Sequence, residues 1–176
     1  MIIFNPAQLR ADFPALIKDA VYLDSAATAL KPTCVINATA DYYRQVGGNV
    51  HRSQYAVAQH LTAEFEAARQ QAADFIHAQH SATIIWTRGA TESISMVAQS
   101  YFRPRLHPGD ELLVSEAEHH ANLVPWLMLA QQTGAQVIKL PVDDKGQPDL
   151  AQLTRLLTPR TLLFDIGQMS NVPGGI

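Results

Sequence analysis

From Ala82 to Ile166 the chain alternates short apolar segments with longer stretches of helical period. Ala82–Trp86, Leu112–Val114, Gln136–Leu140 and Thr161–Ile166 read as strands, being rich in β-branched, leucine or aromatic residues. Thr91–Phe102, Asn122–Thr133 and Leu150–Leu157 read as helices between them. A helical connection carries the chain back across the sheet, so the next strand enters parallel to the last. The pattern predicts an α/β fold with a mostly parallel sheet between two helical layers, a three-layer αβα arrangement. Ligands in such sheets bind beyond the carboxyl ends of the strands, so the loops that follow strands are the places to look for chemistry.

The upstream residues predict mainly helices. Asn5 is placed to cap a short helix with Pro6 in its first turn, ending near Asp12. Val21–Leu23 reads as a strand entering the polar turn Asp24–Thr28. Pro32 opens a helix that Gly47-Gly48 ends, and Ser53 is expected to cap a long helix from Gln54 to about His77. Along it Leu61, Phe65, Ala68, Ala72 and Ile76 recur at spacings of three and four, one apolar face. No repeat or linker divides the sequence, so residues 1–176 are expected to form one domain with an N-terminal segment of about residues 1–20.

Composition narrows the function classes. A hydrophobic fraction of 47% with 16% charged residues fits a globular protein. A net charge of -3 without a basic stripe argues against nucleic-acid binding. No apolar run approaches the roughly 20 residues of a membrane span. Met1–Pro6 lacks the basic and apolar regions of a signal peptide, so a cytoplasmic protein is expected. Cys34, the single cysteine, makes no internal disulfide; beside Val35 and Ile36, with no base adjacent in sequence, it is expected to be a buried inert thiol.

Two runs can carry chemistry. Thr87-Arg88-Gly89-Ala90-Thr91-Glu92-Ser93 joins an expected strand to a helix. Gly89 and Ala90 let backbone approach a ligand, and the first amides of the helix, with the Thr91 hydroxyl, suit a phosphate. The alternative is that Thr91 or Ser93 merely caps the helix. Glu118-His119-His120-Ala121-Asn122-Leu123-Val124-Pro125-Trp126 follows another strand and can present a flat imidazole. Glu116, Glu118, His119 and His120 lack the helical i,i+4 spacing of a zinc motif, so no metal is expected; a plain polar loop is the alternative. Arg52, in Asn49-Val50-His51-Arg52-Ser53, can reach an anion. Asp24-Ser25-Ala26-Ala27-Thr28, and Asn171 with Gly174-Gly175, also suit a ligand, though each equally suits an ordinary turn or loop.

Taken in order, Tyr22–Thr28, Asn49–Arg52, Thr87–Ser93, Glu118–Trp126 and Gln168–Val172 resemble the cysteine desulfurases of the class V aminotransferase family, nearest to the bacterial cysteine sulfinate desulfinase type. The resemblance runs the length of the chain and matches the N-terminal portion of such proteins. It implies a fold-type I transferase of sulfur metabolism, with an incomplete large domain that uses pyridoxal 5'-phosphate (PLP). Such enzymes are homodimers that take sulfur from L-cysteine, or act on cysteine sulfinate, and leave alanine, with sulfur passed to an enzyme cysteine and on to an acceptor protein. By the same resemblance, Ala90 and Thr91 hold the cofactor phosphate, His119 stacks on the pyridine ring and Asn171 faces cofactor and substrate. Asp24, Ser25 and Ala26 line the substrate entrance, with His51 and Arg52 at the site's edge near the dimer partner.

The sequence also departs from that pattern. The lysines present, Lys18, Lys31, Lys139 and Lys145, sit in no motif matching the PLP-anchoring lysine, and Cys34 does not match the sulfur-carrying cysteine. Asp165 precedes the Asn171 loop and is not the pyridine-nitrogen aspartate. Ala90 stands where many relatives have threonine. No catalytic residue is therefore assigned, covalent attachment of PLP at the family position is not expected, and the chain is expected to be a truncated product inactive alone. The alternative is a non-catalytic fragment that pairs with a full-length desulfurase subunit.

Overall fold

The computed structural model describes residues 4–16 and 21–172. Lys18, Gly174 and Gly175 lie outside the described residues, as does the opening Met1–Ile3. The chain divides into two compact units, Met1–Ile85 and Trp86–Ile176.

The first unit is helical. In α1 (Pro6–Ala11) the Asn5 side chain accepts from the amides of Ala7 and Gln8 at 3.1 and 3.2 Å, and Pro6 occupies the first turn, as the sequence predicts. Helix α2 (Thr33–Gln45) opens after Pro32, and the Thr33 amide and hydroxyl both donate to the Asp12 carbonyl, at 2.8 and 3.1 Å. Helix α3 (Ala56–Phe75) starts after Tyr55, not Ser53, and takes no side-chain cap. Of its residues, only Ala58 and Ala73 are fully buried. Cys34 is exposed on α2, against the expectation of a buried thiol, because α2 has no buried residue.

Two expected strands do not form. Residues 21–24 and 84–87 are irregular, the latter following a 3-10 turn at Ser81–Thr83. β-branched composition expresses a preference, but a strand exists only where a neighbour completes the ladder. Val21 and Leu23 stay 80% and 90% exposed.

The second unit holds the sheet: β1 (Glu111–Ser115), β2 (Gln136–Leu140) and β3 (Thr161–Asp165), in the order β2-β1-β3. Both pairings are parallel, Leu112 lying opposite Val137 on one side and Leu163 on the other. Every residue of central β1 is buried, while β3 alternates half-buried and exposed. The expected parallel α/β arrangement is thus present with three strands.

Helix α4 (Ala90–Val97) runs on into a π turn, Ala98–Phe102, closed by the Arg103 amide on the Ala98 carbonyl at 2.9 Å. Helix α5 (His120–Thr133) packs on β1, β2 and α4; the short α6 (Leu153–Leu156) follows a 3-10 turn and lies against β2. The core gathers Ala98, Leu106, Leu112, Val114, Trp126 and Leu129, with the Phe102 ring edge-on to Trp126 at 5.5 Å. Gly134 ends α5 at φ 77°, and a Cβ there would lie 3.2 Å from Pro108, so both conformation and space select glycine.

At the amino end of the sheet the buried Glu111 is tied across to the start of β3. It accepts from the Thr158 hydroxyl at 2.6 Å and from Arg160 Nε at 2.9 Å. These hydrogen bonds, Thr158 first and Arg160 next, hold its carboxyl below the ordinary glutamate range. Among the described residues no helix is long and apolar enough to cross a membrane.

Candidate functional site

The carboxyl ends of β1 and β3 converge on one group of side chains. After β1 the chain turns through Glu116 and Ala117; the buried Ser115 hydroxyl accepts the Ala117 amide at 3.1 Å and fixes the turn. His119 then caps α5: its Nδ1 accepts the Ala121 amide at 3.1 Å. That contact leaves the neutral ring's proton on Nε2, turned away from the helix. The His119 ring also meets that of His120 edge-on at 5.5 Å.

His119 lines a cavity of about 320 Å³. Asn171 lines it too, on the loop after β3, with Gln168, Ser170 and the apolar Met169 and Ile166. Gly146, Gln147, Pro148 and Leu150, ahead of α6, complete the lining. Concave, mainly apolar sites of a few hundred Å³ with a few converging polar groups are the usual form of small-molecule pockets. The structure therefore brings His119 and Asn171 together, although 52 positions separate them in sequence.

Glu118 and Gly167 line the cavity as well, and belong to a set of contacts that the sequence does not show. Asn122 Nδ2 donates to both Glu118 Oε2, at 2.7 Å, and Asp165 Oδ1, at 2.9 Å. Trp126 Nε1 donates to Asp165 Oδ2, and the Gly167 amide to Glu118 Oε1. A Cβ on Gly167 would stand 3.3 Å from both Glu118 oxygens, so the glycine lets the loop close on the carboxylate. Burial pushes the Asp165 carboxyl above the ordinary aspartate range; the Asn122 and Trp126 donors oppose this, and the Glu118 charge adds to it. Glu118, Asn122 and Trp126 recur every four residues in the run the sequence singles out, Glu118 just ahead of the α5 N-cap and the other two on α5, but nothing in the sequence ties that run to Asp165 or Gly167.

The phosphate run forms a second, separate place. At the head of α4, Gly89 is the N-cap, with no side-chain cap. Neither Thr91 nor Ser93 caps the helix: the Ser93 hydroxyl instead meets Thr87 Oγ1 at 2.7 Å. Glu92 folds back to accept the Arg88 amide at 2.7 Å. A cavity of about 400 Å³ there is lined by Arg88, Gly89, Thr91, Glu92 and Ser95. It shares no lining residue with the cavity of His119. Ala90 is exposed as the first residue of α4, and offers backbone more than side chain.

The remaining candidates belong to the first unit. Asp24 opens a turn, its carbonyl accepting the Ala27 and Thr28 amides at 3.2 and 3.1 Å, while the Tyr22 hydroxyl bridges the Asp24 and Thr28 carbonyls. Ser25 and Ala26 are exposed within it. His51, at φ 63°, places Nε2 2.9 Å from Glu66 Oε1, and its amide donates to the Thr62 hydroxyl at 3.1 Å. Arg52 is exposed in the same turn. Among the described residues no three His, Cys, Asp or Glu side chains gather as a metal-binding set.

Residues 21–176 match the family model described as aminotransferase class-V. The chain is 62% identical to the cysteine desulfurase CsdA of Escherichia coli over 99% of its own length and 44% of that protein's. Against the crystal structure of CsdA (S-sulfonic acid) it superposes with a TM-score of 0.86 over the same shares of the two chains. The apo structure of a cysteine desulfurase from Thermococcus onnurineus NA1 is 31% identical, with a TM-score of 0.88 over 98% of this chain and 42% of that one. A solved C-DES variant with glycine covalently linked to its PLP cofactor is 26% identical, with a TM-score of 0.69 over 86% and 38%. The chain thus spans less than half the length of the relatives it matches. Its parallel α/β unit is consistent with part of the large domain of a fold-type I enzyme.

Proposed function

Because the chain belongs to the class V aminotransferase family, we propose that it supplies part of the PLP site of a cysteine desulfurase, working on L-cysteine or cysteine sulfinate. The observation that carries this reading is the cavity shared by His119 and Asn171, with the imidazole set by its bond to the Ala121 amide.

The residues present fit the cofactor's parts. The head of α4 offers an anion the uncapped first-turn amides and the Thr91 and Ser95 side chains. The Glu92 carboxylate lines that place as well, but it is engaged with the Arg88 amide. In the other cavity the flat His119 ring suits stacking on a pyridine, and the Asn171 amide suits hydrogen bonds to ring substituents or substrate. When bound, PLP supplies an electron sink for breaking bonds at the substrate's α- and β-carbons. The chain's own residues would bind and orient it: the head of α4 would hold the phosphate, the His119 ring would stack on the pyridine, and Ile166, Met169 and Leu150 would give it apolar contact.

No lysine among the described residues stands ready as an anchor. Lys139 is held 3.5 Å from Glu116, Lys31 donates to the Ala29 carbonyl, and Lys145 sits exposed in a turn. Nor does exposed Cys34 match the family's sulfur carrier. We infer that a polypeptide of these 176 residues binds PLP reversibly and by itself produces no alanine from cysteine.

The test is a titration of the purified chain with PLP and with pyridoxal, followed by absorbance and tryptophan quenching. Saturable binding that is tighter for PLP than for unphosphorylated pyridoxal supports the reading. Equal affinity for the two, or no saturation, refutes it. Alanine formation above the rate of free PLP would refute the inference of inactivity.

A further inference from the structure

We propose that Asp165 is a positioning residue for His119, acting through the relay Asp165–Asn122–Glu118. This rests on the cofactor reading above and deepens it. Asp165 ends β3, one strand over from the turn that carries His119. Its two oxygens are taken by donors on successive turns of α5, Asn122 and Trp126. Trp126 is 3% exposed within the core and does not yield, so it fixes the carboxylate. Asn122 carries that fixed position to Glu118, because its single amide nitrogen donates to both carboxylates. Glu118 in turn pins the Gly167 amide, closing the loop after β3 onto the residue that precedes His119.

The consequence is directional. Both oxygens of Asp165 accept, and the atoms that face them, Asn122 Nδ2 and Trp126 Nε1, only donate; turning the Asn122 amide to offer its oxygen would take its N–H from Glu118 and break the other half of the relay. A carboxylate satisfies the pair, whereas an amide in its place turns an N–H toward one of the donors. The Asp165→Asn change therefore keeps the shape and breaks the relay. The relay holds two walls of the cavity in register: His119 on the α5 side and the run from Gly167 to Asn171 on the β3 side. Its loss frees the His119 turn without removing any group that lines the cavity.

The test compares the full chain and its Asp165→Asn form by hydrogen–deuterium exchange read by mass spectrometry, with a PLP titration on the same samples. The amides of Ala121, bonded to His119 Nδ1, and of Gly167, bonded to Glu118, report the relay directly. In the variant both are expected to exchange at least about fivefold faster, the factor equivalent to one hydrogen bond of about 1 kcal/mol, while the β1 amides keep their wild-type protection. PLP affinity is expected to fall by a similar factor. Wild-type exchange at Ala121 and Gly167 overturns the proposal. If Asp165→Asn loosens β1 as well, Asn122→Ala cuts the same relay from the helix side and is expected to give the local acceleration alone. Loss of β1 protection in both variants would make the network a fold element and overturn the positioning role. Local acceleration in a chain that shows no saturable PLP binding leaves the positioning role standing and removes the cofactor reading. Unchanged exchange with normal PLP binding does the reverse.

Discussion

Replacing Trp126 by Phe tests how tightly the core and the site are joined. The indole is 3% exposed, its ring lies edge-on to Phe102, and its Nε1 donates to Asp165. Phenylalanine keeps the aromatic contact but gives up roughly 40 Å² of buried apolar surface, about 1 kcal/mol at about 25 cal/mol per Å². It also removes a hydrogen bond to a charged acceptor, worth about 1.5–3 kcal/mol. Because Asp165 is half-buried and water can partly replace the lost donor, the lower end applies. The total is about 2.5 kcal/mol, or roughly 5–10 °C in Tm for a chain of this size. The pH dependence separates the two contributions. The indole donor favours ionised Asp165, so its loss raises the carboxyl further above its ordinary range. The penalty is then full where Asp165 is charged in the folded state. It shrinks as pH falls through that titration, by about 1 kcal/mol, the difference between charged and neutral acceptors. Circular-dichroism melts of both proteins at neutral pH and near pH 4 provide the measurement. A Tm loss under about 2 °C, or one that grows on acidification, would refute the reasoning.

Other outcomes follow from the same contacts. Gly134→Ala places a Cβ at φ 77° and 3.2 Å from Pro108, and a loss of about 1–2 kcal/mol from the left-handed conformation alone is expected in urea unfolding. Glu111 titrates below its ordinary range, so its stabilisation is present above the unfolded value and is lost as pH falls through the lower, folded one; Glu111→Gln should flatten the acid limb of the stability–pH curve. Asp165 works in the opposite sense: its contribution is full below the unfolded value and is lost as pH rises through the raised, folded one. Thr91→Ala should weaken PLP by several-fold while leaving pyridoxal affinity unchanged, since it removes a hydroxyl beside the anion place and nothing near His119.

The sequence alone determined what depends on near neighbours. The Asn5 cap, the break after Pro32, the Gly134 terminus and the alternation of strand and helix from β1 to β3 all follow from local backbone chemistry. The Thr87–Ser93 and Glu118–Trp126 runs stood out for the same reason, each being a short continuous stretch leading into a helix, the second directly after β1 and the first after irregular chain. What failed was whatever needed a partner from elsewhere. Val21–Leu23 and Ala82–Trp86 have the composition of strands but do not join the ladder, and Cys34 lies among apolar neighbours on a helix that buries nothing. Only the tertiary structure set Asn171 against His119, and only it made one asparagine the bridge between two carboxylates 47 positions apart. A parallel sheet brings the ends of distant strands side by side, whereas sequence patterns report only what lies within a turn or two of the same element.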